Sequence, residues 1–537
     1  MSIFTKVAMQ KPRFNTFDLS HSVKFSVGFG NLYPCFLAET VPNDTFSVHS
    51  SQLVRVAPMI TPVMHQMSVY MHFFYVPNRI LWKGWEKFIN GGYEGLDAPA
   101  FPFLPLFSVT ESSLGESLGL PTWSAQTRNV NAIPFAVYQK IWYEYYRDQN
   151  LTSEIDWLEP DGDGLSDGDN TALFATLSAD RQRCWQHDYF TSALPWTQRG
   201  PEATIPLGTS APLDIAGSGG GLTYIQDQST FIARLDDGTF TADDITYPNS
   251  TNDPPNRAPL RINTSQNASI DITTNTEIDT TNVTVDLSLA SAAAINDLRR
   301  AFRLQEWLEL NARAGARYNE TIRAHFGIDP GDARVQRPIF LGGSRAPIVV
   351  SEVLQTSGTD AEPTPQGNMA GHGIAVGGKT MFRYRCREHG YIMGILSVMP
   401  KSAYQQGMSK FWFKFDKFDY FWKSFANIGE QAILNKEVYV ANDGLDDEVF
   451  GYTPRYADYK YINDRVQGPF RSTLDFWHAG RIFSTRPTLS QSFVELTEFE
   501  LNRIFAVPNL TDEQFYVTVH HQVKAKRPMP YFGTPTL

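Results

Sequence analysis

VMHQMSVYMHFFYV, residues 63–76, decides the fold class. Its odd positions form an apolar face interrupted only by His65, and polar residues such as His72 lie on the other face. Apolar residues at every second position predict a half-buried β-strand. Pro77 is expected to end it, because proline lacks the N–H that a ladder needs. The chain therefore contains at least one long strand of a sheet that covers a core.

Outward from this strand, the pattern predicts more strands than helices. Residues 515–523 alternate again, so a second strand is expected near the end of the chain. Helical spacing of apolar residues predicts helices over 79–89, closed by Gly91 and Gly92, from Pro134 to Tyr145, and over 291–325 with a possible break at Gly315. Strands and helices do not alternate regularly, which favours antiparallel sheets with helices in the loops of a single sandwich.

Residues 203–286 differ in composition from the rest of the chain. They contain no Lys, Cys, Met, His or Trp, and three arginines stand against eleven acidic residues. So polar a stretch cannot build much core, although short alternating runs such as 230–235 and 283–287 can form strands. We expect a surface insertion that contacts something outside the molecule.

Bulk composition excludes several classes of protein. A formal net charge of −11 over 537 residues argues against coating nucleic acid, which needs excess Lys and Arg. Cys35, Cys184 and Cys386 have no paired spacing and are interpreted as buried, reduced thiols. Without a secretory signal or a long apolar run, we expect synthesis in a reducing cytoplasm and no membrane insertion.

The sequence contains no phosphate-binding, nucleophile-elbow or zinc-protease motif, so no cofactor is predicted and no motif indicates an enzyme, although catalytic groups can also be assembled from distant positions. The acidic run at 161–170 fails the calcium-loop pattern, because Leu165 occupies its fifth position and no Glu closes it. No metal site is therefore predicted. Two alternatives remain open: a β-sandwich glycan-binding module, suggested by the polar insertion and many aromatic residues, and a carbohydrate-active hydrolase, which a β-rich fold and acidic loops permit.

Nine strings spread in order along the chain resemble those of the major capsid proteins of the Microviridae, small phages with circular single-stranded DNA, and in particular the gokushovirus-like branch. The strings are VPNR (76–79), YRDQNL (146–151), DYFTSALPWTQRGP (188–201), RYNETIRAHFG (317–327), QRPIFLGGSR (336–345), PQGNMAG (365–371), EHGYIMG (388–394), IGEQ (428–431) and FGYTPRYADYK (450–460).

The resemblance implies a mainly β fold over residues 1–537: an eight-stranded antiparallel viral jelly roll with long inter-strand insertions that contain helices. Sixty copies would close a T=1 icosahedral shell around circular single-stranded DNA, together with a small basic internal DNA-binding protein. The protein would be made in the bacterial host cytoplasm and reside in the virion capsid.

In the gokushovirus-like branch one large insertion protrudes at the three-fold axes, and the insertion at 203–286 lies where that protrusion is expected. We therefore expect it to contact a host surface receptor. The residues selected as candidates for this contact are Thr230, Asp236, Asp237, Tyr247, Asn263 and Asp271.

MFRYRCRE, residues 381–388, is the first candidate for DNA contact. A strand would place Arg383, Arg385 and Arg387 on one face, about 7 Å apart. Guanidinium groups at this spacing can bind phosphates or carboxylates bidentately. Three interpretations stay open: ion pairs within the subunit, ion pairs with a neighbouring subunit, and contact with DNA.

KFWFKFDKFDYFWKSF, residues 410–425, interleaves lysines with nine aromatic residues. Bases of a single strand can stack on exposed rings while ammonium groups hold the phosphates. Rings so dense are also typical of a core or a subunit interface. For the DNA alternative the candidate residues are Trp412, Lys414, Lys417 and Trp422.

The two ends of the chain, residues 1–20 and 524–537, are basic and are expected to be irregular arms. They are either solvated tails or inward-facing contacts to packaged DNA. Their cationic residues are Lys6, Lys11, Arg13, Lys524, Lys526 and Arg527.

Overall fold

The computed structural model describes residues 14–92, 96–106, 108–155, 171–201, 295–314, 323–327, 336–354, 356, 369–497, 501–506 and 513–531, with short strands between residues 213 and 285. The strands are β1 (Asn15–Asp18), β2 (His21–Val27), β3 (Tyr33–Thr40), β4 (Thr45–Val56), β5 (Met67–Pro77), β6 (Phe103–Leu106), β7 (Arg128–Asn131), β8 (Leu213–Ile215), β9 (Thr223–Gln226), β10 (Ser229–Ile232), β11 (Glu277–Ile278), β12 (Val283–Val285), β13 (Ile339–Pro347), β14 (Val349–Leu354), β15 (Met369–Arg385), β16 (Gly390–Pro400), β17 (Ala403–Tyr404), β18 (Glu430–Leu434), β19 (Val449–Pro454), β20 (Asp464–Arg465) and β21 (Phe515–Arg527).

Helices are fewer and most are short. They are α1 (Trp85–Asn90), α2 (Leu114–Ser117), α3 (Ile133–Ile141), α4 (Thr171–Ser178), α5 (Ile295–Ala314), α6 (Asn435–Val438) and α7 (Gln491–Val494). The excess of strands confirms the mainly β class.

Two antiparallel sheets form the centre of the fold. The first has the order β1-β21-β4-β15-β14, with β2 also paired to β21, and the second has the order β13-β5-β16-β3. Val54 of β4 and Val519 of β21, from the first sheet, share one buried cluster with Phe73 of β5 and Leu396 of β16, from the second. The sheets therefore pack face to face around a common apolar core, as in a sandwich.

β5 is buried on both faces, so the prediction of a half-buried strand is wrong in this respect. Phe73 points into the core between the sheets, whereas Phe74 joins a second cluster with Trp82 and Tyr138. Helix α3 and the segment around α1 cover the face that the sequence pattern marked as polar. The strand ends at Pro77, as predicted, but begins at Met67 instead of residue 63.

The three predicted helices are present, and their bounds differ from the predicted ones in detail. Helix α1 ends at Gly91, whose φ of 74° is left-handed and whose N–H donates to the Lys87 carbonyl, so the predicted stop there is confirmed. Helix α3 continues as a π-helical turn over Trp142–Tyr146. Helix α5 ends at Ala314, directly before the predicted break.

The last strand is longer than the sequence pattern indicated. β21 continues through Lys524, Lys526 and Arg527, pairing there with both β1 and β4. The expectation of an irregular arm is therefore wrong for residues 15–18 and 524–527, which satisfy each other's backbone hydrogen bonds.

The chain divides into two compact units, residues 1–199 with 309–537 and residues 200–308. The first unit contains the two central sheets. In the second unit, which contains the polar insertion, β9 pairs with β10 and β11, and β8 pairs with β12. Strands were predicted near 230 and 283, and β10 and β12 confirm them.

The buried side chain of His521 connects the two central sheets through hydrogen bonds. His521 is fully buried, with its Nδ1 2.7 Å from Ser50 Oγ and its Nε2 3.0 Å from the Cys35 carbonyl oxygen. A neutral ring satisfies both contacts, because Nε2–H donates to the carbonyl and Nδ1 accepts from the hydroxyl. Burial, with the nearby His21 charge, lowers the pKa of His521 to about 4, compared with about 6.5 in an unfolded chain.

We expect the subunit to lose stability as the pH falls from about 6.5 to about 4 because of this ring. The unfolded state takes up the proton first, so the stabilisation is complete above the unfolded pKa and decreases towards the folded one. His521 contributes about 3 kcal/mol to this loss. Urea unfolding of unassembled subunits at neutral and acidic pH measures it.

The variant His521→Gln provides the comparison. It should lose less stability on acidification than the wild type. Part of the loss remains, because burial and the neighbouring Arg183 also lower the pKa of His72 to about 4. Parallel pH profiles for the two proteins would contradict the role of His521.

Candidate functional site

The exposed face of the first sheet gathers four of the predicted DNA-contact residues. Lys524 and Arg383 both lie opposite Ser47 in the strand register, one on each side of β4. Lys526 and Arg385 lie opposite Thr45 in the same way. Residues opposite each other point to the same face of a sheet, and all four cations are exposed. Together they form a basic patch, defined by Arg383, Arg385, Lys524 and Lys526.

The predicted alternation of the arginine strand is confirmed. Phe382 and Cys386 are buried while Arg383, Arg385 and Arg387 are exposed, although β15 ends at Arg385 and Arg387 follows it. Arg385 donates from Nε to Asn43 Oδ1 at 2.8 Å. Among the described residues, none of the three arginines forms an ion pair with a carboxylate. The intramolecular ion pairs considered above are therefore not supported.

One carboxylate lies next to the basic patch. Asp18 is the register partner of Lys524 and is exposed. Hydrogen bonds from Ser20 hold the pKa of Asp18 below its usual value, and the charge of Lys524 contributes. The patch nevertheless keeps a clear excess of positive charge.

Arg527 is placed differently from its neighbours. Its Nε lies 3.4 Å from Asp44 Oδ2, and its Nη2 donates to the Glu39 carbonyl at 2.8 Å. These contacts occupy the guanidinium group, which is mostly buried. Arg527 is therefore a poor candidate for a phosphate contact.

Residues 410–425 form a surface of exposed rings instead of a strand or a long helix. Three short 3₁₀ turns carry the segment. Phe415 is 90% exposed and Trp412 64%, and Trp422 is half exposed with its indole N–H donating to the Lys417 carbonyl at 2.8 Å. Rings this exposed do not belong to the core of the subunit.

A second segment extends this apolar surface. Phe421 stacks edge-on against Tyr456 at 4.9 Å between ring centroids and lies 6.4 Å from Tyr459. Tyr461 is exposed, and Ile462 is 91% exposed. We call residues 411–422 and 459–462 together the aromatic ridge.

The lysines of the ridge differ in their availability. The Lys414 ammonium is almost buried, pairs with Asp458 and lies over the Tyr459 ring at 3.9 Å. This ion pair occupies the group, which argues against the predicted phosphate contact by Lys414. Lys417 is exposed, with its ammonium 5.0 Å from the centre of the Phe418 ring.

The remaining candidates cannot be placed. Lys6, Lys11 and Arg13 lie outside the described residues. So do the host-contact candidates Asp236, Asp237, Tyr247, Asn263 and Asp271, while Thr230 lies in β10 and its side chain is not described. The acidic run at 161–170 is outside them too.

Cys35 and Cys386 are buried and Cys184 is half-buried, and burial raises the pKa of each thiol to about 12. In the described part of the chain, no three His, Cys, Asp or Glu residues come together as a metal site would require. No helix there combines the length and apolar character that a membrane span needs.

Sequence reasoning missed several residues of these surfaces. Arg55 and Lys24 are also exposed on strands of the first sheet, and Tyr459, Tyr461 and Ile462 complete the ridge. The alternation of polar and apolar residues along β4 could have placed Arg55. Nothing in the sequence could have brought residues 459–462 to residues 411–422, because that neighbourhood is a tertiary contact.

Comparisons with known proteins agree over nearly the whole chain. A family model described as capsid protein (F protein) matches residues 6–537. Capsid protein VP1 of Chlamydia phage 1 is 34% identical, with 99% of this chain and 97% of the relative covered. The proteins of the same name from Bdellovibrio phage phiMH2K and Spiroplasma virus 4 are 34% and 30% identical, each over 97% of this chain and 94% of the relative.

Proposed function

The chain belongs to the capsid protein (F protein) family, and from this premise we propose that it is the major subunit of a T=1 icosahedral shell built from sixty copies. The resemblance to gokushovirus-like Microviridae is confirmed by the relatives. Membership indicates a structural role instead of an enzymatic one, and a capsid location. Proteins of such a shell bind copies of themselves.

We further propose that the sandwich is an eight-stranded viral jelly roll. Support comes from two antiparallel sheets around one core and from the long connections between their strands. The connection from β5 to β13 alone covers residues 78–338 and contains helices α1–α5. Long insertions in the loops of a small sandwich account for the length of the chain, because loops tolerate insertions that strands do not.

The observation that carries the shell proposal is the aromatic ridge. An isolated soluble protein rarely exposes so continuous an apolar surface, whereas the centre of a subunit interface is rich in Trp, Tyr and Phe. Burial of these rings against a neighbouring copy supplies the free energy of assembly. Purified full-length chain should therefore form small round particles visible by negative-stain electron microscopy. Material that stays monomeric at high concentration would contradict this function.

We assign the basic patch to the face that meets the packaged single-stranded DNA. Exposed guanidinium and ammonium groups bind phosphates without regard to sequence. Since each subunit carries a formal charge of −11, the shell cannot neutralise a genome by itself. A small basic internal protein is therefore expected to accompany the DNA.

Residues 203–286 are proposed as the protrusion at the three-fold axes and as the contact to a host surface receptor. Their acidic, polar composition suits a solvent-exposed segment that adds nothing to the core. Deleting residues 203–286 should leave round particles without knobs and abolish attachment to the host. Unchanged attachment by knobless particles would argue against the receptor role.

A further inference from the structure

A cavity of about 520 Å³ opens on the exposed face of the first sheet, beside the basic patch. It lies over three neighbouring strands, where Thr518 of β21, Leu53 of β4 and Val376 of β15 stand side by side in the strand register. This volume falls within the range of pockets that hold small organic groups. The cavity is therefore large enough for one planar ring system.

A β-bulge makes the room for this cavity. The register of β15 against β4 shifts between Gly377 and Thr380, so two residues of β15 stand opposite Ser51 alone. Gly377 has a φ of 122°, and a Cβ built there would meet no other atom within 4 Å. A bulge locally interrupts the ladder and bends the strand, and such sites recur next to functional positions.

One polar group in the wall of the cavity has no partner among the described residues. It is the Nε2 atom of His49, which is buried. Gln52 also borders the cavity, but it is 3% exposed and its register partner Val519 is a core residue, so its side chain points into the core. Buried polar groups in folded proteins are nearly always paired, so an unpaired imidazole nitrogen beside a cavity indicates a ligand with a polar edge.

The remaining walls are apolar or neutral. Val376 is 69% exposed and Leu53 is 36% exposed, so the cavity offers two aliphatic side chains to a flat ring. His520 adds an imidazole, whose Nδ1 lies 3.0 Å from Ser22 Oγ. None of the described residues that line the cavity is acidic. A ligand with aromatic faces and polar edges fits this lining.

Cations stand at both ends of the cavity. Ser47 lies two residues before His49 on the same face of β4, and its register partners are Lys524 and Arg383. Arg55 lies two residues after Leu53 on the same face and is exposed. Positions 47 and 55 of β4 are roughly 27 Å apart along the strand, so positive charge lies on both sides of the cavity. An anionic polymer crossing the face would therefore meet positive charge, then the cavity, then positive charge again.

We propose that this cavity, which we call the base pocket, receives one base of the packaged single-stranded DNA while the flanking cations hold the phosphates on either side. The proposal rests on the proposed DNA-facing role of the basic patch and goes beyond it, because it adds recognition of a base to recognition of the backbone. Bases carry both a stacking face and polar edges, which match the aliphatic walls and the unpaired Nε2 of His49.

Binding of oligonucleotides to full-length, unassembled subunits tests the base pocket. Fluorescence anisotropy would compare a strand of twelve thymidines with an abasic strand of the same length and phosphate count. The wild type should bind the thymidine strand about tenfold more tightly, since stacking of a base adds to the phosphate contacts. A strand with a single central thymidine among abasic sites should regain most of this difference.

Three variants test whether the effect arises in the cavity. Ser51→Leu fills the cavity without adding an aromatic ring, and it should reduce the tenfold preference to about one while leaving the affinity for the abasic strand unchanged. Thr16→Leu, on the same face but outside the cavity, should keep the full preference. Thermal unfolding of all three variants checks that they fold. His49→Leu should lower the preference as well, by removing a polar group from the wall.

The following results would contradict the base pocket. Equal binding of thymidine and abasic strands by the wild type, or an undiminished preference in Ser51→Leu, excludes the base pocket but leaves the basic patch as a phosphate-binding face. Absence of binding to either strand overturns both the pocket and the proposed DNA-facing role. An acidic peptide could displace the thymidine strand equally well from the wild type and from Ser51→Leu. That result would show that the cavity adds nothing to DNA binding.

Discussion

The double variant Phe415→Ser with Ile462→Ser should abolish particle formation while the subunit remains folded. Both side chains are about nine-tenths exposed in the isolated subunit, so the substitutions remove almost no contact within it. In the shell, burial of each side chain is worth about 2 kcal/mol per copy. Every subunit repeats this loss, so we expect at least a tenfold fall in the yield of particles, measured by sedimentation and negative stain.

Leu96→Ser is the matched control for the ridge, because Leu96 is 81% exposed but lies outside it. Particles should form normally with this variant. Full assembly by the ridge variant would show that copies meet through another surface. Normal shells that contain less DNA would instead favour the alternative in which Trp412, Lys417 and Trp422 stack on bases.

Removing the basic patch should have the second large effect. In the quadruple variant, Arg383, Arg385, Lys524 and Lys526 are replaced by alanine. Each phosphate contact to a single strand contributes about 0.7 to the dependence of log affinity on log salt concentration, so the slope should fall by about 3. At moderate ionic strength this corresponds to a loss of affinity of roughly a hundredfold or more. Titrations of unassembled subunits with an oligonucleotide over a range of salt concentrations measure both quantities.

A charge-matched control separates the patch from net charge. Lys87, Arg128, Lys460 and Arg471 are exposed and lie outside the first sheet, and their replacement by alanine changes the net charge by the same amount. This control should keep most of the slope. Equal slopes for the two quadruple variants would mean that DNA is attracted by the overall field and not by the patch.

The sequence predicted local features well where local pattern decides them. Alternation located the core-facing side of β5 and the arginine face of β15, and the left-handed Gly91 closed the first helix as expected. It failed where a distant segment decides the outcome. The second face of β5 is buried by helix α3, far along the chain, and no periodicity within β5 can report that cover.

In the candidate sites too, the sequence predicted what one segment determines and missed what depends on contacts between distant segments. Arg383 and Arg385 were selected correctly as exposed residues, since one strand determines their direction. The pairing of Lys414 with Asp458 depends on two segments that fold together, so a lysine among aromatic residues gave no sign of it. The base pocket depends on a bulge in β15 and on three strands from distant parts of the chain, which no single window of sequence contains.

The position of β21 has a consequence for biosynthesis. This strand lies between β4 on one side and β1 and β2 on the other, although its residues are the last that the ribosome adds to the sandwich. Until translation reaches β21, the first sheet lacks a central member, and β1 and β2 have no partner strand across nearly 500 residues. Nascent chains therefore cannot complete the sandwich. Prematurely terminated polypeptides would be left out of the growing virion for the same reason.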